Sequence, residues 1–260
     1  MSIITAEKIT FSYANAKKEA PVFVDQDLRI EDGEFVCLIG HSGCGKTTLL
    51  KLIAGLQLPD SGQICINGDQ VLGPGPDRAM VFQNYALFPW MTARHNVMFG
   101  IKQVKPGLNK KELAGIANHY LEQVGMASSA DVYPTRLSGG MQQRVAIARA
   151  LAMDVDTLLL DEPFGALDTR NRTQLQDLLL RLWSIGEQRK TVVFVTHDID
   201  EAIILADRII FMRPGRICCE LKPPFPRPRN REELVLDPAY RKMVNSLRDM
   251  FFLDEEAANE

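Results

Sequence analysis

Residues 34–56, EFVCLIGHSGCGKTTLLKLIAGL, constrain the fold of this chain more than any other stretch. Residues 34–40 read as a buried strand running into a glycine loop, and 46–56 carry apolar residues at helical spacing. Between them Gly40 to Thr48 matches G-x-x-x-x-G-K-[ST], in the strand-before, helix-after context that gives the pattern meaning. Gly40, Gly43 and Gly45, with Ser42 and Cys44 between them, let successive backbone N–H groups converge on an anion without side-chain obstruction. The helix N-terminus adds unpaired donors and partial positive charge, reaching to Thr48. Lys46 is placed to reach the β- and γ-phosphates of a nucleotide, and the Thr47 hydroxyl to ligand Mg²⁺.

A phosphate loop of this kind belongs to α/β architecture, and the rest of the chain agrees. Short apolar runs at 78–83, 157–162 and 191–197 read as core strands, and 169–185 as the helix joining the last two. Residues 58–69 read as a hairpin turning at Asn67-Gly68, and 207–221 as another turning at Pro214-Gly215. The middle differs. From about 84 to 138 there is no strong strand, and 109–125 is an amphipathic helix opened by Asn109 and closed by Gly125. We read about 84–150 as a helical subdomain inserted between strands. After the proline-rich 222–230 comes a terminal helix, roughly 238–252, and an acidic tail. The only dense basic run, Arg227 to Arg231, reads as a solvated loop.

Several function classes are excluded. The net charge of −3 gives no basic field for nucleic acid. The five cysteines lack C-x-x-C spacing and are odd in number, so neither a zinc site nor a disulfide framework is indicated, and a reducing cytosol is the simple reading. There is no signal-peptide pattern and no apolar run near the ~18–20 residues of a membrane span. The chain reads as a soluble protein, which leaves open attachment to a membrane through a partner.

Two further segments carry chemistry. TLLLDE, 157–162, is an apolar strand ending in Asp161, at the strand end where such sheets bind ligands. Asp161 is placed to hold Mg²⁺ through water. Glu162, turned elsewhere by strand alternation, is placed to polarise a water attacking the γ-phosphate. RLSGGMQQR, 136–144, offers a second phosphate cradle: Ser138, Gly139 and Gly140 supply a hydroxyl and backbone donors at a helix N-terminus, with no lysine.

With Gly40–Thr48, LSGGMQQR (137–144) and LLLDEPFGALD (158–168) in this order, the sequence resembles the ATP-binding cassette (ABC) family, over essentially the whole chain to about Leu221. The resemblance implies a P-loop NTPase core with a mostly parallel sheet, an N-terminal antiparallel β-subdomain and an inserted α-helical subdomain carrying LSGG. The ATPase domain is then 1–221 and a C-terminal loop and helix extension 222–260. Gln83 resembles the glutamine that contacts Mg²⁺ or the lytic water, and His197 the switch histidine that bonds the γ-phosphate. Asp168 resembles the aspartate working at the dimer seam. Tyr13 resembles the aromatic that stacks on adenine, with Phe11 competing for that role.

Family cassettes pair head-to-tail, each ATP lying between one chain's P-loop and the signature motif of the other. The partners implied are a second copy or a homologous cassette, integral membrane permease subunits and, indirectly, a substrate-binding protein. The chain would then sit peripherally on the cytoplasmic face of the cell membrane. Within 84–100, Phe88, Trp90, Met91 and Met98 divide between subdomain core and a groove for a permease helix. ALFPWMTARHNV and PPFPRPRN resemble importer cassettes for nitrate, sulfonate, taurine, bicarbonate and related small anions. The alternative is a soluble cassette acting on a macromolecule without transport. A further expectation is that Cys44, inside the loop, sensitises ATP binding to thiol reagents, unless it is simply a small residue that fits.

Overall fold

The computed structural model describes residues 2–13, 21–165, 167–184 and 189–258. Ala166 and Ile185, within segments read above as strand-end motif and helix, and the last two residues of the C-terminal extension lie outside them. The elements run β1 (Ile4–Phe11), β2 (Phe23–Ile30), β3 (Phe35–Gly40), α1 (Lys46–Ala54), β4 (Ser61–Ile66), β5 (Asp69–Gln70), β6 (Arg78–Val81), α2 (Ala93–Val104), α3 (Lys110–Gln123), α4 (Gly139–Met153), β7 (Thr157–Asp161), α5 (Thr169–Ser184), β8 (Thr191–Val195), α6 (Ile199–Leu205), β9 (Arg208–Arg213), β10 (Arg216–Leu221), α7 (Arg231–Leu236) and α8 (Pro238–Ala258). The chain divides into two compact units: a flanking unit of 3–73 and 193–260, and a middle unit of 1–2 and 74–192.

In the flanking unit an antiparallel sheet has the order β2-β1-β4-β5. Alternation in ITAEKITF buries Ile4, Ala6, Ile9 and Phe11, with a register shift where Lys8 takes positive φ. The Asn67-Gly68 turn between β4 and β5 has φ of 56° and 88°. Two successive positive φ values suit the right-handed twist of a two-residue hairpin. β3 is buried along its whole length, as its unbroken apolar run requires. It pairs parallel with β9, setting Ile39 opposite Phe211 and Gly40 opposite Met212, and β9 pairs antiparallel with β10. Phe35, Leu38, Ile39, Phe194 and Phe211 are fully buried and form the heart of this unit's core.

The basic run at 227–231 is not a solvated loop. Arg227 Nε donates to Asp207 at 2.7 Å. Arg229 donates to the carbonyls of Ile203 at 2.7 Å and Ala206 at 2.6 Å, at the end of α6. Four terminal carbonyls of any helix lack intrahelical partners, and a guanidinium fork satisfies several at once. Burial, then the nearby Arg227, pulls the Arg229 guanidinium down to about 10.

In the middle unit β6 pairs parallel with β7. α2 and α3 pack against α4. Thr92 caps α2, and Asn109 with Glu112 forms a reciprocal capping box at the start of α3. Asn96 is fully buried on α2, where its amide donates to the carbonyls of Phe88, Met91 and Thr92 and accepts from Phe88 N–H. One side chain thus fixes the irregular segment ahead of the helix.

Candidate functional site

The glycine loop follows β3 and opens α1. Gly45, at φ 107°, is the N-cap of α1; no side chain caps this terminus and no acidic residue lies in its first turn. A helix N-terminus with no side-chain cap and no acidic first turn is of the kind that receives an outside anion. Lys46 is 7% exposed. Its ammonium donates to Gly40 O at 2.7 Å and His41 O at 2.8 Å, so it is folded back on the loop's own carbonyls. Gly43 has φ 83° with open space where a Cβ would stand, while Ser42 is exposed and Thr47 half-buried. Thr48 is buried and its hydroxyl lies 3.0 Å from that of Tyr13.

Tyr13 packs edge-on to Phe11 but is 38% exposed, whereas Phe11 is a buried member of β1. Only the tyrosine ring offers a face to a ligand. Cys44 is buried, and burial pushes its thiol up despite nearby Lys46. That opposes the expected thiol sensitivity, since the thiolate is the reactive species.

Gly40 is fixed by sterics. A Cβ there would stand 2.2 Å from the carbonyl oxygen of Met212, and φ is 148°. Gly40→Ala is expected to cost about 3 kcal/mol, because backbone rather than a flexible side chain must yield. A urea melt of the variant, read as a fallen midpoint at unchanged slope, checks this. His197 stands exposed between β8 and α6, following buried Thr196, whose hydroxyl bonds Glu201.

In the middle unit β7 ends at buried Asp161. Glu162 lies beyond the strand at φ 45°, so a left-handed backbone, not strand alternation, aims its side chain. Gln83, exposed after β6, donates from Nε2 to Glu162 Oε2 at 3.3 Å. The segment following Gln83 is strained as well: Tyr85 and Ala86 have φ of 64° and 44°. Arg149 of α4 holds it, donating to Tyr85 O at 3.2 Å and Ala86 O at 2.9 Å. Gly100 of α2 lets Arg149 pass, since a Cβ there would stand 2.8 Å from its Cγ.

α4 also carries the second cradle. Ser138 is its exposed N-cap, accepting from Met141 N–H at 3.3 Å, and Gly139 and Gly140 form its first turn. A cleft of about 510 Å³ is lined by Ser138, Gly139, Gly140, Arg144, Asp168 and Asn171. The signature residues and Asp168, separate in sequence, thus share one cleft. Backbone and side-chain bonds from Asn171 hold the Asp168 carboxyl below its ordinary range. Arg144 bonds Asn171 and reaches Val124 O at 3.2 Å. Sequence reasoning had not singled out Arg144 or Asn171. The available signals were position, with Arg144 six residues after Ser138 and Asn171 three after Asp168 at the head of a helix.

Of the aromatic and methionine set at 84–100, Met98 is buried, Phe88 and Met91 are half-buried, and Trp90 is 69% exposed. Phe88 contacts Trp90 and Phe99 at ring distances of 5.4 and 4.8 Å, leaving an aromatic patch at the surface of the middle unit.

A glycine loop with an inward lysine, a buried aspartate closing a strand and a second glycine-led helix define a nucleotide-binding cassette. The ABC transporter family model matches residues 23–165, and the chain belongs to that family. It is 47% identical to the nitrate import ATP-binding protein NrtD of Synechococcus elongatus, across 88% of this chain and 84% of that protein. It is 44% identical to the bicarbonate transport ATP-binding protein CmpD of the same organism, across 96% of this chain and 90% of the other. Among solved structures it resembles the ATP-binding cassette MJ0796, in a dimeric post-hydrolysis state bound to ADP and Pi. That match has a TM-score of 0.80 and 33% identity, and covers 85% of this chain and 99% of that one.

Proposed function

We propose that this chain is the ATP-hydrolysing subunit of an importer, coupling ATP binding and hydrolysis in a head-to-tail dimer to movement of membrane permease subunits. The observation that carries the reading is a pair of helix N-termini, both led by glycine. α1 has an inward-folded lysine and an uncapped end, while α4 has a serine, two glycines and no lysine. The first suits primary binding of a triphosphate. The second suits completion of a site on another copy, supplied in trans.

In this reading Lys46 leaves the carbonyls of Gly40 and His41 to meet the β- and γ-phosphates, and the backbone donors of Gly43 to Thr48 cradle them. Tyr13 stacks on the base. Mg²⁺ fits the residues present, because hydroxyl, carboxylate and amide oxygens are the hard donors that it takes. Thr47 and Asp161 would hold it, with Gln83 alongside, and it would neutralise charge developing on the phosphates. Glu162 accepts the proton of the attacking water. Gln83 orients Glu162 or the water, and His197 bonds the γ-phosphate. Ser138, Gly139, Gly140 and Asp168 act on the nucleotide of the partner copy. Closure favoured by γ-phosphate contacts relaxes when hydrolysis removes them.

The aromatic patch of Phe88, Trp90 and Phe99 receives a cytoplasmic helix of the permease. No helix among the described residues is long and apolar enough to cross a membrane. As the ATPase subunit of an importer the chain acts peripherally, on the cytoplasmic face, with a substrate-binding protein delivering solute to the permease. The relatives named above support a small anion, such as nitrate or bicarbonate, as the solute.

Phosphate release by the purified chain tests the ATPase. Lys46→Ala is expected to weaken ATP binding about 10- to 100-fold, the worth of charge-assisted hydrogen bonds. Equal binding by the variant and the parent chain, by titration with ATP, would sink the assignment.

A further inference from the structure

Phe251, in the second half of α8, touches the phosphate loop. Tyr240, Met243, Val244 and Leu247 are buried at helical spacing, and the same stripe continues to Phe251. The Phe251 ring meets Phe211 edge-on at 5.1 Å and 83°, and His41 at 5.1 Å and 72°. Phe211 is the β9 residue opposite Ile39, and its neighbour Met212 lies opposite Gly40. Phe251 thus rests on the strand pair from which the loop springs. His41 Nε2 lies 2.9 Å from Phe251 O, and a carbonyl only accepts, so Nε2 is the donor.

The backbone of His41 is tied as firmly as its ring. Its carbonyl accepts from Lys46 Nζ at 2.8 Å and from Cys44 N–H at 3.3 Å. One residue therefore connects the C-terminal helix, by its side chain, to the parked lysine, by its main chain.

We propose that the end of α8 is a positioning element for nucleotide binding: Phe251 and His41 together hold the phosphate loop in the shape that receives ATP. The inference rests on the reading that Gly40–Thr48 bind ATP. An ordered loop binds its anion without first losing conformational freedom, so releasing the contact weakens binding. Phe251 lies 210 positions from His41 and well outside the residues matched by the family model, which end at 165.

The test uses the full-length chain and steady-state ATP hydrolysis. Phe251→Ala keeps the carbonyl that His41 bonds but loses the ring contacts with His41 and Phe211, and is expected to raise the KM for ATP about five-fold, with kcat within about two-fold of the parent. His41→Ala, which loses that ring contact and the hydrogen bond to Phe251 O, should raise KM at least as much. The double variant should be little worse than His41→Ala alone, because both substitutions break the same Phe251–His41 ring contact. His41→Gln, which keeps an N–H donor for Phe251 O but no ring, should recover part of the affinity lost in His41→Ala. A merely structural role would lower the fraction of folded chain, and so kcat, without moving KM. An unchanged KM in Phe251→Ala, or additive effects in the double variant, overturns the proposal. If the parent chain itself fails to bind ATP, the P-loop reading fails instead, and the parent titration separates the two outcomes.

Discussion

Replacing Glu162 by glutamine is expected to stop ATP turnover and leave ATP binding intact. The carboxamide keeps the size of the carboxylate and can still meet Gln83, but it cannot accept a proton from water. General-base catalysis is typically worth roughly 10²–10⁴ in rate, and phosphate release should fall by about that factor. The backbone supports placing function here. Glu162 has φ 45°, a conformation that costs a non-glycine residue of order 1 kcal/mol or more and that persists at sites where a side chain must be aimed. The same strain makes a second variant informative. Glu162→Gly should be equally inactive yet raise the urea midpoint, because glycine takes positive φ at no steric cost. With hydrolysis blocked, ATP should hold Glu162→Gln as a dimer visible by size-exclusion chromatography. Normal phosphate release by Glu162→Gln would remove the general-base assignment.

Glu162 also shows where sequence reasoning worked and where it did not. Its presence at the end of an apolar strand was legible, because LLLD is buried without a break and a carboxylate pair closing such a strand stands out. The way it is aimed was not, since strand alternation stops at Asp161 and a left-handed turn takes over. The hairpin at Asn67-Gly68 and the α3 cap at Asn109 were readable because their chemistry is local, within three residues. α6 and α7 were missed. Each spans about two turns, too short for a hydrophobic period to register. The arginines at 227 and 229 were misread for a different reason. Their partners, Asp207 and the carbonyls closing α6, lie about twenty residues upstream, and nothing local distinguishes a buried guanidinium from a solvated one. The Phe251–His41 contact is the extreme case, with no local signal at either end.

Complementation between two damaged chains is the sharpest expected result for the second cradle. A Lys46→Ala chain lacks the proposed primary phosphate ligand, and a Ser138→Arg chain carries a bulky cation in the cleft where Ser138, Gly139 and Gly140 lie with Asp168. Each alone should form dimers with no intact composite site, and hydrolysis should fall by roughly 10³ or more, the scale on which trans-acting groups contribute in other NTPases. In an equimolar mixture half of the dimers are hybrids. Two-fold symmetry gives every hybrid one site with both elements whole and one with both damaged. About a quarter of all sites are then intact, and activity should return to roughly a quarter of the parent value if sites act independently. Ser138 is also the N-cap of α4, so its loss costs about 1 kcal/mol of stability. ATP binding by the Ser138→Arg chain through its own P-loop shows that it remains folded. A mixture of parent and Lys46→Ala chains supplies the other control, since its hybrids also hold one intact site. If those hybrids hydrolyse ATP while the doubly damaged pair stays silent, Ser138 does not act across the dimer, and the second cradle needs another explanation.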